Sequence, residues 1–94
     1  MKIVWSRRAI RHLVAIREFI AKDSGQNAVL VAKRILDAID LLQTQPEMGR
    51  PGRVMGTREL VVPDTSYIIP YRVRRERLEL IAIYHGRWKW PAKL

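Results

Sequence analysis

At Pro46 the hydrophobic rhythm of the chain changes period, and this change constrains the fold more than any other feature. Before it, apolar residues recur every three to four positions. Ala9, Leu13, Ile16 and Ile20 fall on one face of a helix that Ser6 can cap, running from Arg7 to about Asp23, where Asp-Ser-Gly supplies turn chemistry. Ile10, Val14 and Phe19 widen that face. A second helix is expected from about Asn27 to Gln45, with Ala28, Ala32, Ile35, Ile39 and Leu42 as its stripe. Val29, Leu36 and Leu41 lie off that stripe, so this helix should be covered on more than one side. The short link between the two makes an antiparallel hairpin.

After Pro46 comes a loop rich in turn residues, PEMGRPG, and then short strands near 57–62, 67–73 and 78–84. Pro63–Ser66 separates the first two and Arg74–Arg77 the last two. Residues 80–84 are apolar on both faces, which places that strand inside the sheet. Pro70 has no N–H to give a ladder, so it should sit at an edge or a bulge. With a first short strand at Ile3–Trp5, the order is β-α-α-β-β-β. The expected fold is a single α+β domain over residues 1–94, a two-layer structure with a mostly antiparallel twisted sheet against an N-terminal helical hairpin.

Composition narrows the chemistry. The chain has no cysteine, which excludes disulfides, thiolate metal sites and a cysteine nucleophile. Its two histidines, His12 and His85, lack the carboxylate neighbours that a metal site would need, and no glycine-rich phosphate loop opens a helix, so no metal or cofactor is expected. Ser6, Ser24 and Ser66 have no base and orienting acid beside them, and Asp37 and Asp40 read as solvated. No apolar run is long enough to cross a bilayer, no signal-peptide pattern opens the chain, and a cytoplasmic protein without membrane contact is expected. Eighteen Lys and Arg against nine Asp and Glu give a formal charge of +9, spread over both halves, which favours an anionic partner.

The remaining constellation is cationic: Arg53, Arg58, Arg72, His85 and Arg87. Arginines on a sheet can hold a phosphodiester and stabilise a cleavage transition state, and His85 could act as an acid or base near neutral pH. The structural alternatives are a hydrogen-bonded strand end for His85 and salt bridges to Glu59 or Glu79 for Arg58 and Arg72. Arg87 lies just past the last strand beside Trp88 and Trp90, and two indoles in a tail must pack on something, either the domain itself or a target.

The order of VWS, the QPEMGRPGR loop, GTRELVV, YIIPYRV and IAIYHGRWKWP resembles the RelE/ParE superfamily of bacterial toxins, over nearly the whole chain and nearer to its ParE branch. The resemblance implies the toxin half of a type II toxin–antitoxin pair. It also implies a cognate antitoxin whose disordered acidic segment folds upon the toxin, with operator DNA engaged only through that antitoxin. Ile10, Val14, Val29, Leu36, Arg58 and Arg72 are then candidate antitoxin contacts. RNA-cleaving members, which act on mRNA in the ribosome, place a catalytic arginine after the aromatic that opens the YxxxYxV strand. Here Tyr67 is followed by Ile68, the preceding strand reads ELVV without lysines, and no tyrosine follows Arg87. ParE-like members are similar to this chain in GRPGR and in the closing end, and imply inhibition of DNA gyrase by protein contact. Arg87, Trp88 and Trp90 are the expected target contacts on that reading. The alternatives are a ribosome-dependent endoribonuclease using Arg58, Arg72, His85 and Arg87, or a non-toxic relative acting only in the antitoxin complex.

Overall fold

The computed structural model describes residues 1–91. β1 (Lys2–Trp5) leads into α1 (Arg7–Ala21) and α2 (Gly25–Leu41), followed by β2 (Arg50–Pro51), β3 (Arg58–Val61), β4 (Tyr67–Arg74), β5 (Arg77–Leu80) and β6 (Tyr84–His85). Ser6 caps α1 as its residue type predicts. Its Oγ accepts from the Ala9 N–H at 3.0 Å and donates to the Ile81 carbonyl at 2.8 Å, so one hydroxyl both starts the helix and ties it to the sheet. Ser24 caps α2 in the same way, through the Asn27 N–H. That helix begins two residues earlier and ends four earlier than its apolar stripe implies. Leu42–Gln45 are already tight turns, closed by Leu42 N–H to Ile39 O and Gln45 N–H to Leu41 O.

The strands form one mixed sheet ordered β1-β5-β4-β3-β2, with β6 also paired to β4. All pairings are antiparallel except β1 with β5. The core lies between the hairpin and one sheet face. Ala9, Ile16, Val31, Ile35, Ile39 and Leu42 from the helices meet Leu60, Ile69, Tyr71, Leu78 and Leu80 from the strands. The other face carries the alternate residues, among them Glu59, Ile68, Pro70, Arg72, Glu79 and Ile81.

One strand expectation needs correction, and of the two positions open to Pro70 the structure takes the bulge. β4, the strand that carries Pro70, is the middle of the sheet and not an edge. The expected continuous strand over residues 78–84 is broken. Tyr71 faces Leu80 and Ile68 faces Tyr84, so Ile69 and Pro70 are opposed by three residues, Ile81–Ile83. This is a bulge, the other position open to a proline. The Val62 N–H donates to Tyr67 O, which sets the parity of the β3–β4 ladder and turns the Pro70 nitrogen away from β3 toward the bulge. The ring needs no acceptor there, while the Pro70 carbonyl takes the Ile81 N–H at 2.9 Å. β2 lies in the segment expected as loop. It pairs only with Arg58 and Glu59, so among the described residues Leu60 and Val61 have no strand partner on that side.

Candidate functional site

The glycine- and arginine-rich segment after α2 is held by buried polar contacts. Tyr71, fully buried, donates its hydroxyl to Pro46 O at 2.7 Å and accepts the Gly49 N–H at 2.9 Å. Gly49 is required because a Cβ there would lie 2.7 Å from the Tyr71 ring and hydroxyl. Arg58, opposite Tyr71 on the helix-side face, donates to Glu47 O and Gly49 O. It therefore secures the exit from α2. An ion pair with Glu59 is barred by geometry, since consecutive strand residues point to opposite faces.

Glu59 instead organises the far face. It is 3% exposed. Its Oε1 accepts from the Arg50 guanidinium and its Oε2 from the Arg53 backbone N–H and guanidinium. Burial pushes this carboxyl up, but the bonds from Arg53 and Arg50 outweigh burial and hold it below the usual range. Arg53 in turn lies over the Trp90 ring, 3.5 Å from its centroid. Trp90 packs on Tyr84 and donates Nε1 to His85 O, and Tyr84 meets His12 of α1. His12 accepts the Ile83 N–H on Nδ1. The C-terminal segment is thus clamped between the β2 loop and the first helix.

The sequence-predicted residues separate in space. Arg72, adjacent to Tyr71 in β4, faces away from Arg58 and is held by Glu79 at 2.9 Å, with Arg74 at 3.4 Å from the same carboxylate. This is the salt bridge expected for Arg72. His85 pairs with Tyr67 at the other end of β4, five residues from Arg72, or roughly 17 Å along the strand. His85 is a hydrogen-bonded strand end: its Nδ1 accepts the Arg87 N–H, and its ring is stacked by Trp88. Arg58, Arg72 and His85 therefore do not meet around one phosphate. Trp90 is 8% exposed and belongs to the fold, whereas Trp88 is 54% exposed. Arg87 is exposed, and no carboxylate of the described residues pairs with it. The Glu59 hub went unread in the sequence; a lone carboxylate directly after a segment with three arginines, Arg50, Arg53 and Arg58, was the available signal.

The helical hairpin is apolar on its outer surface as well. Ile10, Val14, Val29 and Leu36 are all exposed by 40% or more, and Val14 and Val29 line one groove between the helices. A second groove of about 460 Å³ runs between α2 and the unpaired part of β3, lined by Ala38, Leu41, Met48 and Val61 together with both cations (Arg34, Arg50) and carboxylates (Asp37, Asp64). No helix is long and apolar enough to cross a membrane among the described residues, and no cluster of metal-ligating side chains occurs among them.

Comparison with known proteins agrees with this architecture. The family described as "ParE toxin of type II toxin-antitoxin system, parDE" matches residues 3–90. A Sinorhizobium fredii protein named "Putative toxin Y4kP" is 44% identical over 93 residues, covering 99% of this chain and 96% of the relative. "Toxin RelE2" of Caulobacter vibrioides is 34% identical over 85 residues, covering 90% and 94%. A solved structure titled "Chromosomal ParDE TA system from P. aeruginosa" superposes with a TM-score of 0.83 at 26% identity, over 90% of this chain and 95% of that one. The family match over residues 3–90, on a fold of a strand, a helical hairpin and a mixed sheet whose β2 and β3 carry GRPGR and GTRELVV, makes this chain a member of the ParE toxin family of type II toxin–antitoxin systems.

Proposed function

We propose that this toxin arrests growth in the bacterial cytoplasm by binding DNA gyrase through protein–protein contact, and that a cognate antitoxin silences it. One observation carries the reading. The cations that a nuclease would bring to one phosphate lie on opposite faces of the sheet and at opposite ends of β4, and Arg58 and Arg72 are held by carbonyls and by Glu79. A transition state needs its donors preorganised around one position. Of the candidate target contacts, Arg87 is exposed with no carboxylate partner among the described residues and Trp88 is more than half exposed, and both are residue types that anchor protein interfaces.

For the antitoxin, Ile10, Val14, Val29 and Leu36 support a helix laid along the hairpin. The groove beside β3 supports an extended segment that adds a strand to the unpaired edge. Arg58 and Arg72 are set aside as contacts because their guanidiniums are engaged within the fold. The rival reading, a ribosome-dependent endoribonuclease, draws on the name of the Caulobacter relative.

The test is to incubate the purified chain with gyrase and supercoiled plasmid. Linear DNA trapped covalently on gyrase supports the reading, together with filamentous growth on expression. Undisturbed gyrase combined with codon-positioned cuts in translated mRNA overturns it in favour of the rival. Undisturbed gyrase with unimpaired growth overturns it in favour of a role confined to the antitoxin complex.

A further inference from the structure

The register of the sheet places three cations directly beside one another. Lys2 of β1 faces Arg77 of β5, and Arg77 faces Arg74 of β4, with no carboxylate in the row. Each precedes or follows a residue of the helix-side face (Ile3, Leu78 and Val73), so all three project from the opposite face, and all three are exposed. Two residues along, the next row reads Val4, Glu79 and Arg72, and Arg8 from the first turn of α1 lines the same cleft as Arg72 and Glu79. Glu79, the carboxylate of this strip, holds Arg72 at 2.9 Å and Arg74 more loosely at 3.4 Å, while Lys2, Arg77 and Arg8 have no carboxylate partner among the described residues. Like charges directly opposite one another on adjacent strands destabilise a sheet.

The turn that joins β4 to β5 carries a second local penalty. Arg75 and Glu76 both have positive φ, 51° and 63°, at the two central positions of a two-residue hairpin. Asn-Gly would occupy that left-handed geometry with far less strain. A fold that accepts both a cation ladder and a strained charged turn at one corner is giving up stability where another requirement acts.

We infer that this strip, Lys2, Arg77 and Arg74 with Arg8 behind them, is a docking surface for the phosphate backbone of duplex DNA, contacted by the toxin itself and not only through its antitoxin. Adjacent strands are about 4.8 Å apart, so the row spans about 10 Å and its second row lies about 7 Å further on. Duplex DNA presents a charge every ~1.7 Å of its axis, so a strip of that size meets several phosphates at once. An acidic peptide that folds on binding needs a cluster of apolar anchors; beside this strip stand Met1 and Val73, the latter turned to the opposite face, whereas Ile10, Val14, Val29 and Leu36 lie on the hairpin. Single-stranded nucleic acid is gripped by aromatic stacking beside the cations. The strip has no aromatic; Trp88 and Tyr84 lie at the other end of the sheet. A surface of cations alone fits a duplex, whose bases are stacked inside. The choice of DNA over duplex RNA rests on the gyrase reading; the strip itself does not.

The experiment is fluorescence anisotropy of the full chain with a 25-base-pair duplex of arbitrary sequence, repeated across salt concentrations and without gyrase. The expected slope of log K against log salt is about −3 to −4, corresponding to three to four phosphates. The variant Lys2→Gln, Arg74→Gln, Arg77→Gln should flatten that slope by about 2 to 3 and weaken binding at least tenfold at 100 mM salt, with an unchanged or raised melting temperature. Arg17→Gln, Lys22→Gln, Lys33→Gln removes the same charge from the hairpin and should leave the slope near that of the wild type. Equal losses in the two variants would reduce the effect to net charge and overturn the proposal. So would a wild-type slope near zero, or tighter binding to polyglutamate, single-stranded DNA or duplex RNA of matched length. A toxin that binds DNA in this way yet leaves gyrase undisturbed would sink the gyrase reading alone.

Discussion

Arg53 bridges two residues that are far apart in the chain: its Nε donates to Glu59 at 3.1 Å while its guanidinium lies 3.5 Å above the Trp90 ring. The β2 loop and the C-terminal segment are therefore held by one side chain. Trp90 is nearly fully buried, so Trp90→Ala should cost about 3–5 kcal/mol in urea unfolding. Arg53→Ala should cost less, about 1–2 kcal/mol, because its own side chain is partly exposed and Arg50 still faces Glu59. The double variant should reveal a coupling of about 0.5–2 kcal/mol. Additive losses would mean that the contact contributes nothing beyond packing.

That bridge also marks where sequence reasoning stops. The helices were legible because their period is local: Ser6 followed by Ala9, Leu13 and Ile16 fixes a start and a face within one segment. The link from Arg53 to Trp90 spans 37 positions with no periodicity to announce it. The break in the last strand was hidden for a related reason. Residues 80–84 are apolar on both faces, which fits a continuous interior strand equally well, and the sign of the bulge was Pro70 in the neighbouring strand. The arginines could be counted but not oriented, since a one-residue change of register moves a side chain to the other face. Arg58 and Arg72 ended on opposite faces for that reason.

Acid should weaken the fold in two successive windows. His12 is held below its ordinary 6.5 by burial and then by Arg8 and Arg11, and only the neutral ring can accept the Ile83 N–H. A lowered folded pKa means that the folded state binds fewer protons than the unfolded one, so this contribution is complete above 6.5 and is lost as the pH falls below 6.5 through the lower folded pKa. Glu59 has the same sign from its ordinary 4.5 downward. Urea midpoints measured from pH 8 to pH 3 should fall in both windows. His12→Gln should flatten the upper window only, and Glu59→Gln the lower only, while lowering stability at pH 7.

Two glycine substitutions should act in opposite directions. Gly49→Ala drives a Cβ against the Tyr71 ring and lies 3.0 Å from the Glu59 carbonyl, a backbone atom that cannot move aside. The expected loss is about 1–3 kcal/mol. Gly25 opens α2 with nothing within 4 Å of a new Cβ, so Gly25→Ala should gain about 0.4–1 kcal/mol. Thermal unfolding of both variants reads the contrast directly.

The two C-terminal indoles should separate folding from toxicity. Trp88 stacks on His85 but is more than half exposed, and Arg87 beside it has no ion-pair partner among the described residues. Trp88→Ala and Arg87→Ala should therefore change stability by less than about 1 kcal/mol. If this pair meets the target, each should reduce growth arrest by tenfold or more in the dose needed, as loss of an interface anchor does. Antitoxin affinity should stay near that of the wild type, because the proposed antitoxin contacts, Ile10, Val14, Val29 and Leu36, belong to the hairpin. Dose-controlled expression, paired with calorimetric titration of the antitoxin, measures both quantities. Full toxicity in both variants would move the target contact elsewhere. Lost antitoxin binding alongside lost toxicity would mean that the two partners share this edge of the molecule.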